Sequence, residues 1–160
     1  MIVLGIDPGL SGALAFVEAS MNGPPRLLRV ADIPTTGEKA KRRVAIGPAL
    51  DLIREIKPDH GVIERTQAMP DQGASSGFIY GRAVGALEAI VEGMLVPLTV
   101  IESTAWKKAH SLIKRGKEDS RQRAIHLFPG SAGFERKMDH NRAEAALIAW
   151  YGLMLLRGER

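Results

Sequence analysis

Four carboxylates stand where a polar side chain needs a partner. Asp7 closes the apolar run Ile2-Val3-Leu4-Gly5-Ile6 and is followed at once by Pro8-Gly9. Glu64 closes a second run, Gly61-Val62-Ile63, in the same way. Asp139 and Glu144 flank the start of a strongly apolar C-terminal segment. A carboxylate leaving a buried strand is costly unless a cation or hydrogen bonds satisfy it. Several converging carboxylates repel one another, and a divalent metal ion offsets that repulsion. Acids gathering metal inside a basic protein point to an enzyme that hydrolyses nucleic acid. The formal net charge is +4, from 22 Lys and Arg against 18 Asp and Glu.

The distribution of charge says more than its total. Residues 105–125 hold Lys107, Lys108, Lys114, Arg115, Lys117, Arg121 and Arg123 against Glu118 and Asp119. Lys39, Lys41, Arg42 and Arg43 form a second cluster. One such run is ordinarily a solvated face. Two of them beside acidic site candidates favour phosphate binding. Aromatic content of 5% argues against a broad stacking platform for single strands.

The elements that must position these groups are legible from hydrophobic pattern. At 160 residues one domain with a proper core is expected. Strands are expected at 2–6, 13–17, 27–30, 60–63 and 98–101, the first three antiparallel through glycine-marked turns. Residues 34–43 read as an exposed basic loop. Helices are expected at about 44–56, 75–92, 118–127 and 141–156, with a short one carrying Trp106 and Lys107. Ile46, Leu50, Ile53 and Ile56 would form the apolar face of the first. The order implies an α/β fold: a ribonuclease H-like mixed five-stranded sheet, three antiparallel strands then two parallel, flanked by helices. In that arrangement strands one and four are neighbours, which would set Asp7 beside Glu64.

Gly77, Gly81 and Gly85 recur every fourth residue inside the second helix. Each costs a helix interior roughly 0.8–1.0 kcal/mol relative to Ala. Tight packing on the sheet, a matching helix of a second subunit, or a nucleic-acid backbone would each account for them. Tyr80 and Arg82 flank the stripe. Trp106, Trp150 and Phe128 read as core or interface residues.

No cysteine is present, so disulfides and thiolate metal sites are excluded. The N-terminal segment lacks the pattern of a signal peptide, and no stretch approaches the roughly 20 apolar residues that cross a bilayer. An intracellular, soluble protein with no membrane partner is expected, nucleoid-associated or of phage origin.

Asp7-Pro8-Gly9, Val62-Ile63-Glu64, Ser75-Ser76 and Gly81-Arg82-Ala83-Val84-Gly85-Ala86 resemble RuvC-type Holliday junction resolvases. Trp106-Lys107-Lys108, Lys117-Glu118-Asp119-Ser120-Arg121 and Asp139-His140-Asn141-Arg142-Ala143-Glu144-Ala145 continue the likeness in the same order, in the manner of the shorter phage and organellar branch. The resemblance implies a homodimeric endonuclease that nicks four-way DNA junctions symmetrically, using Mg²⁺ or Mn²⁺. It implies that Asp7 and Glu64 supply the first two ligands and Glu144 the last. The remaining ligand stays open among Asp139, His140 and Asn141, with Asp139 favoured because hard cations prefer carboxylate oxygen. A pair of ions ~3.5–4 Å apart would be expected, with Asp7 bridging them. Lys107 and Lys117 match basic positions close to the scissile phosphate, so Lys117 joins the catalytic set. Lys108, Lys114, Arg115 and Arg82 are expected on DNA. Met69 stands near the position of an aromatic wedge, and Gly77, Gly81 and Gly85 fall at the dimer interface. Two other readings compete: a junction- or RNA-binding module without catalysis, and a fragment of an actin-like phosphotransferase.

Overall fold

The computed structural model describes residues 1–20, 23–65 and 73–159. Among the described residues, seven strands and five α-helices follow one another as β1 (Ile2–Asp7), β2 (Ala13–Glu18), β3 (Arg26–Asp32), β4 (Thr35–Thr36), β5 (Arg43–Val44), α1 (Ile46–Ile56), β6 (His60–Glu64), α2 (Ala74–Gly93), β7 (Leu98–Ile101), α3 (Ser103–Ala109), α4 (Lys117–Leu127) and α5 (His140–Leu156). The main sheet has the order β3-β2-β1-β6-β7. β1 pairs antiparallel with β2 and parallel with β6, and β7 is parallel to β6. The expected mixed five-stranded sheet flanked by helices is present. It differs in detail from the expectation, because two further strands interrupt the chain between its antiparallel and parallel parts. The strand that lies beside β1 is therefore sixth in order, not fourth.

The interruption falls in residues 34–43, expected as loop. β4 and β5 form a separate antiparallel ribbon there, closed by a short 3₁₀ turn at Lys39–Lys41. Arg42 Nε donates to Thr35 Oγ1 at 3.1 Å, and its Nη2 to the Leu10 carbonyl at 2.9 Å. Val44 belongs to β5, so α1 begins at Ile46. Ile46 is exposed, and Ala49 and Ile53 are the residues α1 buries.

β1 is buried on both faces, which explains its nearly unbroken apolar run. Leu4 and Ile6 join Leu14, Phe16 and Ile63 under α1 and α2. Val3 lies on the opposite face with Val62, Trp106 and the buried residues of α5. Period-two alternation puts Gly5 and then Asp7 on that second face. Gly5 is where helix and strand meet: a Cβ there would stand 2.2 Å from the Ala145 carbonyl oxygen and 2.4 Å from the Ala149 nitrogen. A Cβ on Gly152 would likewise meet Val62 and Val3. α5 therefore runs antiparallel to β1, from Gly152 over Val3 to Ala145 over Gly5, and its N-terminal turn arrives at Asp7.

Candidate active site at the ends of two parallel strands

Register brings the first two acids together. Ile6 pairs with Ile63 in the parallel ladder, so Asp7 and Glu64 leave adjacent strands side by side, on the face that α5 covers. Asp7 is followed by a tight turn in which the Gly12 N–H donates to the Gly9 carbonyl at 3.1 Å. Gly9 has φ +121°, a conformation that L side chains rarely adopt. Glu144, on the second turn of α5, comes down beside both strand ends.

The electrostatics follow from this convergence. Asp7 is half-buried and densely surrounded by protein, and burial is the main reason its carboxyl rises well above the usual range. The charges of Glu144 and then Glu64 push it further, against the pull of Lys117 and Lys107. Burial also raises Glu64, opposed first by its hydrogen bond from Trp106 and then by Lys107. Trp106 Nε1 donates to Glu64 Oε2 at 2.6 Å, and Ser120 Oγ donates to Glu144 Oε1 at 3.2 Å. Among the described residues, no three acidic or histidine side chains are drawn into one closed chelating group. The donor set nevertheless fits a hard divalent cation: neighbouring carboxylates add to the cost of ionising Asp7 and Glu64, and a cation among them would offset it.

Asp139, expected as the fourth acid, is engaged by arginine. Asp139 is only 2% exposed, but its carboxylate accepts from the Arg136 backbone N–H at 2.8 Å and from Arg136 Nη2 at 2.7 Å. Arg142 approaches it at 3.8 Å. Burial favours its neutral form, yet these arginine contacts outweigh burial and hold it below the usual carboxylate range. Asp139 is thus an arginine anchor at the start of α5. Its neighbour Arg142 also makes a two-pronged contact with Asp32, at 2.6 and 2.8 Å, tying α5 to β3. His140 Nε2 lies 3.2 Å from Lys117 Nζ. An ammonium can only donate, so the imidazole accepts. Asn141 Nδ2 donates to the Ser11 carbonyl at 2.5 Å.

Lys107 and Lys117 both act on Asp7 electrostatically, so the expected basic pair does border the acids. Lys108, Lys114 and Arg115 are exposed on α3 and on the turn before α4. Arg82 is exposed and donates to the Arg42 carbonyl at 3.2 Å. Met69 lies outside the described residues. Gly77, Gly81 and Gly85 are not packed on the sheet, since a Cβ at any of them would meet nothing within 4 Å.

Three contributors escaped the sequence reading in this role. Trp106, expected as core or interface, is fully buried and also steers Glu64. Ser120 holds Glu144. The Tyr80 phenol is pushed up to about 12, mainly by burial and then by Asp7 and Glu64, and its ring would contact a Cβ on Gly9. Ser120 and Trp106 sit within the stretches that carried the family likeness, which was the available signal.

No family model matches the sequence, and no curated protein sequence matches it. The fold does match solved structures. Thermus thermophilus RuvC superposes with a TM-score of 0.72 at 22% identity, over 99% of this chain and 96% of that one. T. thermophilus RuvC in complex with Holliday junction substrate gives 0.75 at 21%, with the same coverage. The yeast mitochondrial Holliday junction resolvase Ydc2 gives 0.60 at 15%, over 96% and 82%. The chain has the RuvC fold.

Proposed function

We propose that this protein is a RuvC-type endonuclease that resolves four-way DNA junctions, acting as a homodimer with Mg²⁺, for which Mn²⁺ can substitute. One observation carries the reading: Asp7, Glu64 and Glu144, distant in sequence, meet at one end of the sheet with Lys107 and Lys117 beside them. The reaction is hydrolysis of a phosphodiester, in which a water oxygen adds to phosphorus as one P–O ester bond breaks.

Asp7, Glu64 and Glu144 would hold the cation, which when bound makes water more acidic and offsets charge on the departing oxygen. Lys107 and Lys117 bind the scissile phosphate and balance the negative charge that builds on it. Trp106 and Ser120 fix the orientation of Glu64 and Glu144. His140 accepts from Lys117 and so steadies the ammonium near the phosphate. Tyr80 keeps its proton and remains a hydrogen-bond donor. Lys108, Lys114, Arg115 and Arg82 extend the basic track that DNA follows. An intracellular location follows from such a substrate.

The test is cleavage of end-labelled four-way junction, linear duplex and RNA–DNA hybrid, with and without Mg²⁺. Paired nicks in the junction alone, only with Mg²⁺, are expected. Asp7→Asn should abolish them while sparing junction affinity, and loss of both would contradict its role. Binding without nicks would favour a non-catalytic module, and ATP turnover a phosphotransferase.

A further inference from the structure

α4 uses more than one of its faces. Ser120 and Ala124 are buried, and Ser120 reaches Glu144. Asp119 and Arg123, one turn apart on a neighbouring face, line a cavity of about 420 Å³ together with His110, Ser111, Leu112 and Arg115. Most described arginines reach a carboxylate, as Arg121 and Arg136 do, and Arg42 and Arg82 reach backbone carbonyls. Among the described residues Arg43, Arg115 and Arg123 reach neither, and of these only Arg123 has a buried nitrogen, its Nε, without an acceptor. A buried donor with no acceptor is rare enough in folded proteins to need a reason.

The rest of the wall sets one carboxylate, Asp119, against the two guanidinium groups. Asp119 Oδ2 accepts the Gly116 N–H at 2.9 Å, which closes the start of α4, and makes no ion pair with either arginine. His110 is buried against the Leu147 carbonyl, and burial depresses it to about 4, so it is neutral near pH 7. Two guanidinium groups on one open cavity suit an anion with several acceptor oxygens, because their planar forks bind such groups by paired hydrogen bonds.

We infer that Arg115 and Arg123 form a second phosphate-binding site, which takes a DNA backbone phosphate away from the one that is cut. The inference rests on the functional reading above for its DNA source. Arg123 lies six residues along α4 from Lys117, about 9 Å at 1.5 Å per residue. At roughly 3.4 Å of duplex axis per base pair, that corresponds to two to three base pairs beyond the phosphate that Lys117 would hold. The site would set how far the strand must run along α4 before the scissile bond reaches Asp7.

The experiment uses full-length protein, Arg123→Gln and Arg115→Gln in two arms. The first measures affinity for a labelled four-way junction in metal-free buffer across a salt series. Each variant should bind about tenfold more weakly, as expected for lost hydrogen bonds to a charged group. Each should also flatten the log–log salt slope by about 0.9, one phosphate's worth of counterions. The second arm follows thermal unfolding with inorganic phosphate, which should raise the midpoint of the parent protein and not of the variants. Arg115 is exposed, so its variant keeps the test valid if Arg123→Gln folds poorly. Loss in both arms assigns the site to DNA, loss in the second alone assigns it to free phosphate, and loss in the first alone overturns the site, because the basic track already accounts for it. Parent behaviour of both variants in both arms overturns the site. If the parent protein itself ignores junctions, the functional reading fails, and the phosphate arm still decides whether the anion site exists.

Discussion

At the scale of single residues, Asp7 carries the largest electrostatic burden. Its folded-state carboxyl is raised above the unfolded value of 3.8, so the folded protein binds that proton more tightly than the unfolded chain. The resulting destabilisation is absent below the unfolded value and grows as pH rises through the folded one. Asp7→Asn removes it. The variant should melt with the parent protein near pH 3 and above it at pH 7. A relief of about 1 kcal/mol would appear as roughly 2–4 °C. Mg²⁺ at 100 times its dissociation constant should add about 2.7 kcal/mol to the parent protein. The variant should gain much less, and calorimetry across pH with and without Mg²⁺ checks both statements. Asp7, Glu64 and Glu144 were legible in the sequence because an acid ending an apolar strand, or opening an apolar helix, is physically conspicuous. The engagement of Asp139 by arginine was not legible, because its position does not say which way its carboxylate turns. Arg136 and Arg142, three residues to either side, were the available warning. The indole N–H of Trp106 left no mark on periodicity at all.

Among the elements, contact between β1 and α5 does most to place the site. Gly5 allows the helix backbone to lie directly on the strand, and the nearest atoms to any added Cβ include main-chain atoms that cannot swing aside. Gly5→Ala should therefore destabilise the fold by about 1–3 kcal/mol, as overpacking does in other cores. Urea unfolding measures this, and a loss below about 0.5 kcal/mol would show that α5 slides freely. The five strands of the main sheet and the helices were readable because burial on one or both faces writes a strong pattern. The β4–β5 ribbon was not, since two-residue strands carry no alternation and their basic residues resemble loop. The glycine repeat of α2 marked a face kept free of side chains but did not say on which side of the helix that face lies. The open space above all three glycines excludes the sheet.

At the scale of the whole molecule, one α2 face is left uncovered among the described residues. Gly77, Gly81 and Gly85 lie there beside Phe78, which is 71% exposed. A second copy laid across this face would bury the phenyl ring and bring two sets of acids into one assembly, as symmetric nicking requires. Phe78→Asp should give a monomer by sedimentation at concentrations where the parent protein is dimeric. Its own folding stability should change little, as expected for an exposed position. A parent protein that sediments as a monomer throughout would end the dimer proposal. The separation of the three acids along the chain has a temporal consequence. A ribosome delivers residue 7 and residue 64 long before residue 144, and the helix bearing the last acid also covers the strand bearing the first. Chains cut short before α5 would lack both the third carboxylate and the lid over Gly5. On the functional reading proposed above, a newly made chain would therefore lack a complete set of acids until its final helix had docked.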